Sequence, residues 1–166
     1  MNTTKGPDFS TFSKREVVSL IFSAMSYLKN QDVIRTGNAL AGDYAEYLVA
    51  AALNGQLAAN SQKAWDVLLA NGEKIQVKSR RVSDPVIPGQ LQLGVFRSFD
   101  FDFAVIVVLP DDDAHVVRAA KVPRHVIESS TSYQKRVNGN VLSASAKVMS
   151  HPDAIDLTAL LQAAQA

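Results

Sequence analysis

A nearly continuous apolar run, FDFAVIVVL, occupies residues 101–109 and ends at Pro110. A strand with one solvated face alternates apolar and polar residues, whereas an unbroken apolar run is typical of a strand buried on both faces. Helical spacing of apolar residues precedes this run over residues 13–30 and 39–53, and a last helix is predicted over residues 156–164. We therefore predict an α/β fold in which helices flank a central mixed β-sheet.

Shorter patterns suggest the rest of the fold. Ser13 and Glu16 have the spacing of a capping box, and Asn54-Gly55 is a stop signal for the second helix. Asp156 is the expected cap of the last helix. Strands are also expected near residues 91–96, 115–121 and 141–148, with a short helix over 123–129 and a loop over 133–140.

Length and composition indicate one domain. The chain has 166 residues with 47% hydrophobic and 20% charged residues, so we expect a flexible arm over residues 1–12 and a single domain over residues 13–166. No cysteine is present, which excludes a disulfide framework, a thiolate metal site and a cysteine nucleophile. The chain has neither a long apolar span nor the apolar core of a signal peptide, so we expect a cytoplasmic protein with no membrane partner.

The segment AWDVLLANGEKIQVKSRR, residues 64–81, plants polar side chains among aliphatic ones at a predicted hairpin. Asn71-Gly72 is one of the stronger short-range turn signals. Asp66 precedes the turn, and Gln76 and Lys78 follow it on the next strand. Buried charges are costly unless they are paired or hold a metal, so this segment is a candidate site.

The turn type decides whether these side chains share a face. A two-residue loop would place Asp66 opposite Val77 and turn it away from Gln76 and Lys78. A three-residue turn with a glycine bulge would place Asp66 opposite Gln76, on the face that Lys78 shares by the period of two. Alanine, asparagine and glycine at residues 70–72 suit the second arrangement, so we expect the three polar groups to converge.

Glu46 adds a second carboxylate from the predicted second helix, where its C-terminal neighbours are small or apolar. Carboxylate and amide oxygens from Glu46, Asp66 and Gln76 are hard ligands of the kind that Mg²⁺ or Mn²⁺ accepts. A bound ion acidifies water and offsets the charge that grows on a phosphate, and Lys78 would steady the same charge. The set therefore predicts metal-assisted phosphodiester cleavage.

These residues resemble the PD-(D/E)xK nuclease superfamily, which includes many restriction endonucleases and DNA-repair nucleases. The likeness covers residues 38–109, from the acidic helix through the hairpin to the buried strand. It implies a restriction-endonuclease-like core. It also implies that Asp66 is the principal metal ligand, that Gln76 takes the second ligand position, that Lys78 is the catalytic lysine and that Glu46 contributes directly or through water.

Two positions depart from the motif. Gln76 stands where the motif has a second acid, and it supplies an oxygen but no negative charge. Trp65 stands where the family name implies proline. Two other readings therefore stay open: a catalytically inactive nucleic-acid-binding module of the same fold, and a partner-binding α/β protein.

Each polar residue also has an ordinary structural explanation. Lys78 would guard an edge strand against aggregation, and Gln76 would face solvent. Glu46 would lie on the polar side of its helix, and Asp66 would accept hydrogen bonds from backbone groups at a strand start.

Net charge is only +1, but the basic residues cluster in two stretches of the chain. Such stretches can line a surface that faces phosphates, so we expect DNA as the partner. A homodimer would supply the two sites that double-strand cleavage needs. The expected DNA-contacting residues are Arg80, Arg81, Arg97, Arg118, Lys121, Arg124, Lys135 and Arg136.

Overall fold

The computed structural model describes residues 8–30, 38–59, 64–87 and 89–165. Part of the predicted arm, residues 1–7, therefore lies outside the described residues, as do Gly37 and Pro88. The elements run in this order: α1 Lys14–Asn30, α2 Asn38–Ala52, β1 Gln56–Leu57, β2 Val67–Leu68, β3 Lys74–Val82, β4 Phe103–Pro110, β5 Arg118–Pro123, α3 Arg124–Ser130, β6 Ser132–Gln134, β7 Gly139–Val141, α4 Ala146–Met149, β8 Ile155–Asp156 and α5 Thr158–Ala163.

Six strands form one mixed sheet in the order β1-β2-β3-β4-β5-β8. β3 and β4 pair in parallel, and the other neighbours pair antiparallel. β4 is the predicted apolar run, and it lies in the middle of the sheet with six successive buried residues. The prediction of an α/β fold with a central mixed sheet flanked by helices is therefore confirmed. β6 and β7 form a separate two-stranded hairpin.

Each face of the sheet has its own core. One face packs against α1, α2 and α5 through residues such as Phe22, Leu48 and Leu161. The other packs against α3, α4 and the segment before β4, where Phe96 and Ile127 are fully buried. Burial on both faces explains why β4 lacks the alternation of a half-exposed strand.

The signals for the start of α1 and the end of α2 are confirmed, whereas the N-cap of α5 is Leu157 and not the expected Asp156. Glu16 accepts a hydrogen bond from the Ser13 backbone N–H at 2.8 Å, and Ser13 Oγ accepts one from the Glu16 N–H at 3.2 Å, as in a capping box. Asn54 has a φ of 52°, and the Gly55 N–H donates to the Ala50 carbonyl at 2.9 Å. This left-handed residue followed by a six-to-one bond is a Schellman ending.

Two predicted strands are wrong. Residues 141–148 bend at Ser145, whose carbonyl accepts the Val148 and Met149 N–H groups and starts α4. The apolar residues of this segment are buried, but they lie in a bend rather than in a β-ladder. Residues 91–96 make two isolated bridges to the chain around β7, and the register of these bridges differs by one residue, so no continuous strand forms. In the part of the chain that the structure describes, no helix has the length and apolarity to cross a bilayer.

Candidate active site

The turn before β3 has the bulged form that the convergence of the polar side chains requires. The Gly72 N–H donates to the Leu69 carbonyl at 2.9 Å, and the Leu69 N–H donates to the Glu73 carbonyl at 2.9 Å. Gly72 has a φ of 87°, a left-handed value that glycine adopts without strain. Because Val67 pairs with Ile75, the same register sets Asp66 opposite Gln76. The predicted three-residue turn is confirmed.

Asp66 is held in place from three sides. Its backbone N–H donates to the Ile75 carbonyl at 2.8 Å, and its carbonyl accepts the Ala58 N–H at 2.8 Å, so neighbours on both sides position its backbone. Its Oδ2 accepts a hydrogen bond from the Val77 N–H at 2.6 Å and a short one from Gln76 Nε2. Within the described residues, Oδ1 accepts no hydrogen bond, so one carboxylate oxygen is left for a ligand.

Gln76 and Lys78 share the face of β3 that bears the Phe96 core, because their partners on β4 are Ala104 and Ile106. Gln76 is only 8% exposed. The Lys78 ammonium lies 5.1 Å from the centre of the Phe96 ring, a cation–π distance. In the described part of the chain Lys78 makes no ion pair within 4.0 Å.

Glu46 reaches the site through its charge rather than through contact. Its helix, α2, packs on the opposite face of the sheet, yet Glu46 lies near enough to Asp66 and Lys78 for their charges to act on it. It makes no hydrogen bond to either side chain among the described residues. The four predicted residues are therefore brought to one region, and Asp66 and Gln76 are in direct contact.

Burial disfavours the charged forms of Glu46, Asp66 and Lys78. Burial raises the pKa of Glu46, and the Asp66 charge raises it further. Burial also raises the pKa of Asp66, against the opposing effects of the Val77 N–H, the Lys78 charge and the Gln76 amide. Burial lowers the pKa of Lys78 despite the nearby carboxylates, and the Arg97 charge adds to the lowering. Burial is thus the dominant cause for all three groups.

The donor chemistry suits a hard divalent cation. Asp66 and Glu46 offer carboxylate oxygens and Gln76 an amide oxygen, and both carboxyl pKa values are raised as expected where a compensating positive charge is insufficient. No group of three or more His, Cys, Asp and Glu side chains that is arranged to hold a metal occurs among the described residues. Gln76, which the resemblance puts at the second ligand position, is an amide, and its Nε2 donates to Asp66.

Arg81 was predicted to contact DNA, but the structure places it in the interior. It is 9% exposed, and its guanidinium lies 4.3 Å from the centre of the Phe22 ring, with Nη2 donating to Ser26 Oγ at 3.1 Å. The alternation of β3 puts it on the face opposite Lys78. It packs α1 onto the sheet.

Seven predicted DNA-contacting cations remain. Five of them bond to neighbouring groups of the protein: Arg80 to the Gln90 carbonyl, Arg97 to the Asn138 carbonyl, Arg118 to Ser150, Lys121 to Glu73 and Arg124 to Glu128. Three of the seven, Arg97, Lys135 and Arg136, are exposed and make no ion pair within the described chain. They are the cations best placed to meet an external phosphate.

Two contributions to the site were not predicted from the sequence. Phe96 was assigned to the core, which is correct, but its ring also supports the Lys78 ammonium. Phe96 is 18 residues from Lys78, and no local pattern links them. The second unpredicted contribution is the hydrogen bond from the Val77 N–H to Asp66 Oδ2. The bulged register was expected, but this bond was not.

The comparisons with known proteins add no relative. A scan against protein-family models found no matching family, and a search of curated proteins found no similar protein. The functional argument therefore rests on the site.

Proposed function

We propose that the protein is a metal-dependent endonuclease of restriction-endonuclease-like fold that hydrolyses phosphodiester bonds in DNA. The observation that carries the proposal is the Asp66 carboxylate, bonded to Gln76 and the Val77 N–H and electrostatically coupled to Glu46 and Lys78. The chain order supports the fold assignment: an acidic helix, an antiparallel hairpin, then a buried strand parallel to the second hairpin strand. That order matches the superfamily the motif resembles.

Asp66, Gln76 and Glu46 would hold Mg²⁺ or Mn²⁺, which supplies acidified water and charge neutralisation when bound. The chain's own residues do the positioning. The Val77 N–H and the Gln76 amide fix Oδ2 of Asp66, so the free Oδ1 has a defined direction. Such preorganised groups need no rearrangement during the reaction.

Lys78 is suited to the reacting phosphate. Its ammonium has no ion pair to break within the described chain, and the Phe96 ring limits where it can go. It would donate hydrogen bonds to the attacking water and to a phosphate oxygen. Hydrolysis adds water across the bond: the water oxygen joins phosphorus, one P–O ester bond breaks, and the departing oxygen takes up a proton. A lowered lysine pKa makes proton exchange at Nζ easier.

Gln76 favours one second candidate, an inactive nucleic-acid-binding module. Its amide donates to Asp66 and satisfies the carboxylate without a metal. In that case the site would be a structural remnant, and the basic surface would be the functional part.

Plasmid cleavage in Mg²⁺ and in Mn²⁺ separates these candidates. Wild type is compared with Asp66→Asn and Lys78→Met, and with Asp100→Asn, a control carboxylate that is exposed and lies outside the site. We expect both site variants to lose activity by about 100-fold or more, the size typical when one transition-state interaction is removed, while the control cuts as wild type. Equal cleavage by wild type and both site variants would reject the site. DNA binding without cleavage would favour the inactive module.

A further inference from the structure

The hairpin of β6 and β7, residues 132–141, is attached directly to the candidate site. Asn140 and Phe96 exchange backbone hydrogen bonds of 2.8 and 3.0 Å. The Phe96 ring is also the one that contacts Lys78. At Gly139 a Cβ atom would lie 3.0 Å from Val95 Cβ, so the hairpin approaches this segment closely. Its position relative to Lys78 is therefore well defined.

The chain segments that form this hairpin and precede β4 carry basic residues and no acid. Residues 85–99 and 129–152 contain no acid. Lys135 and Arg136 are exposed on a single 3₁₀ turn between β6 and β7. Arg97 is exposed as well, and its Nη1 donates to the Asn138 carbonyl at 3.4 Å. Arg97 is also close enough to Lys78 to lower its pKa, so the basic surface is continuous with the site.

An aromatic ring stands among these cations. Tyr133 is 62% exposed, although a tyrosine has ample apolar area that burial would stabilise. Its hydroxyl donates to Asn138 Oδ1 at 2.9 Å, and Asn138 adopts a left-handed φ of 46° at the turn. The hydrogen bond restrains the hydroxyl end of the ring while most of the residue stays exposed to solvent.

We propose that the β6–β7 hairpin binds an unpaired DNA strand beside the catalytic site, with Tyr133 stacking on a base and Arg97, Lys135 and Arg136 contacting phosphates. This inference rests on the proposed nuclease function and names its substrate class: DNA with a single-stranded segment next to the cut. Exposed aromatic rings among cations are how proteins bind single strands, because every base has a face to stack on and every phosphate a charge. In a duplex the bases are stacked on one another, and Tyr133 would have no face to meet.

Fluorescence anisotropy in EDTA tests the hairpin without requiring cleavage. The probes are a labelled 20-mer single strand and the duplex of the same sequence. The variants are Tyr133→Ala, Tyr133→Phe and the double variant Lys135→Ala/Arg136→Ala. The control is Arg15→Ala/Lys29→Ala, which removes one arginine and one lysine from α1; Arg15 is already paired with Asp113.

We expect Tyr133→Ala to weaken single-strand binding by about 5- to 100-fold, the range for one stacked base, and to change duplex binding less than about twofold. Tyr133→Phe keeps the ring and should bind as wild type. The double variant should reduce the slope of log affinity against log salt by about 1.4, or about 0.7 for each phosphate that the protein no longer neutralises. The control should leave the slope unchanged.

The outcomes separate this inference from the nuclease proposal. Wild-type binding by the Tyr133→Ala variant and by the double variant would overturn the hairpin assignment, even if the plasmid is cut. Equal losses on single strand and duplex would overturn the unpaired-strand specificity. No binding of wild type to either probe at low salt would overturn the inference outright. Loss of binding in the variants without any cleavage by wild type would support the hairpin and reject the nuclease.

Discussion

Gln76→Glu places an acid where the nuclease motif that these residues resemble has one, and its effect on stability follows from one hydrogen bond. In the present site Gln76 Nε2 donates to the Asp66 carboxylate. A glutamate cannot donate that bond when ionised, and it brings a like charge to a carboxyl whose pKa burial already raises. A hydrogen bond to a charged acceptor contributes about 1.5–3 kcal/mol to stability. With the repulsion between the two carboxylates included, we expect the free energy of unfolding of the metal-free protein to fall by about 3 kcal/mol at pH 7.

The loss should appear as a lower melting temperature. For a chain of this length about 1 kcal/mol corresponds to about 2–4 °C, so we expect Gln76→Glu to melt about 6–12 °C below wild type in EDTA. Mg²⁺ should reverse most of this loss of stability, since a ligand at about one hundred times its Kd stabilises a protein by about 2.7 kcal/mol. The raised pKa of Asp66 also sets a pH dependence. The penalty is absent below the ordinary carboxyl pKa and grows as pH rises through the raised value.

The assay is differential scanning fluorimetry in EDTA and across a Mg²⁺ titration, from pH 4 to 8. Gln92→Glu makes the same charge change at an exposed position and is the matched control. The reasoning is refuted if Gln76→Glu melts with wild type in EDTA at pH 7. It is also refuted if Mg²⁺ raises its melting temperature no more than that of the control.

Three further predictions concern stability and are measured by urea denaturation. Lys78→Met should stabilise the metal-free protein by about 1 kcal/mol near neutral pH, because burial lowers the pKa of Lys78 and the charged lysine therefore destabilises the folded state. This penalty is absent above the ordinary lysine pKa and fully present below the lowered one, so no gain at pH 7 would contradict the prediction. Gly72→Ala should cost about 1–2 kcal/mol through its left-handed φ alone, since no atom lies within 4 Å of the new Cβ, so an unchanged midpoint would be inconsistent with the bulged turn. Gly55→Ala should lower the free energy of unfolding by about 1–3 kcal/mol, because the new Cβ would overlap Val67. Gly42→Ala, inside α2 with open space around it, should raise the free energy of unfolding by about 1 kcal/mol, and changes of the same sign in both variants would contradict the prediction.

The hairpin register was predictable because it depends on three adjacent residues. Alanine, asparagine and glycine at residues 70–72 favour a turn whose third residue is left-handed, and that turn alone determines whether Asp66 faces Gln76. The helix ends at Glu16 and Asn54 were predictable for the same reason. Each signal is read within a few residues of its effect.

Long-range contacts were not predictable in the same way. Nothing near Phe96 in the sequence says that its ring will meet Lys78, because the contact depends on how the segment before β4 crosses the sheet. The wrong prediction of a strand over residues 141–148 has a related cause. Their apolar spacing reports burial correctly, but burial is compatible with a bend at Ser145 as well as with a ladder.

The ordinary structural explanations of the polar residues can now be weighed by geometry. β3 lies between β2 and β4, but β2 pairs only with Lys74 and Ile75. At Lys78 the described part of β3 therefore has a ladder partner only on the β4 side, as an edge strand does. Gln76 does not face solvent, because it is 8% exposed. Asp66 does satisfy a backbone N–H, at Val77, but that bond does not offset its burial, since its pKa is still raised.

β3 carries Gln76 and Lys78 beside Asp66, whose pKa burial raises. Aliphatic residues at these positions would pack without the cost of burying polar groups. Replacement of buried polar groups by apolar ones is commonly neutral or stabilising, so stability does not account for this cluster. Sites that bind or react with charge are where such a cost is retained, because the ligand supplies the missing compensation. The same reasoning ties the two proposals together. In these proposals the two carboxylates would bind a cation, and the cations and exposed ring of the adjoining hairpin would bind a polyanion, so metal and nucleic acid together would neutralise both surfaces.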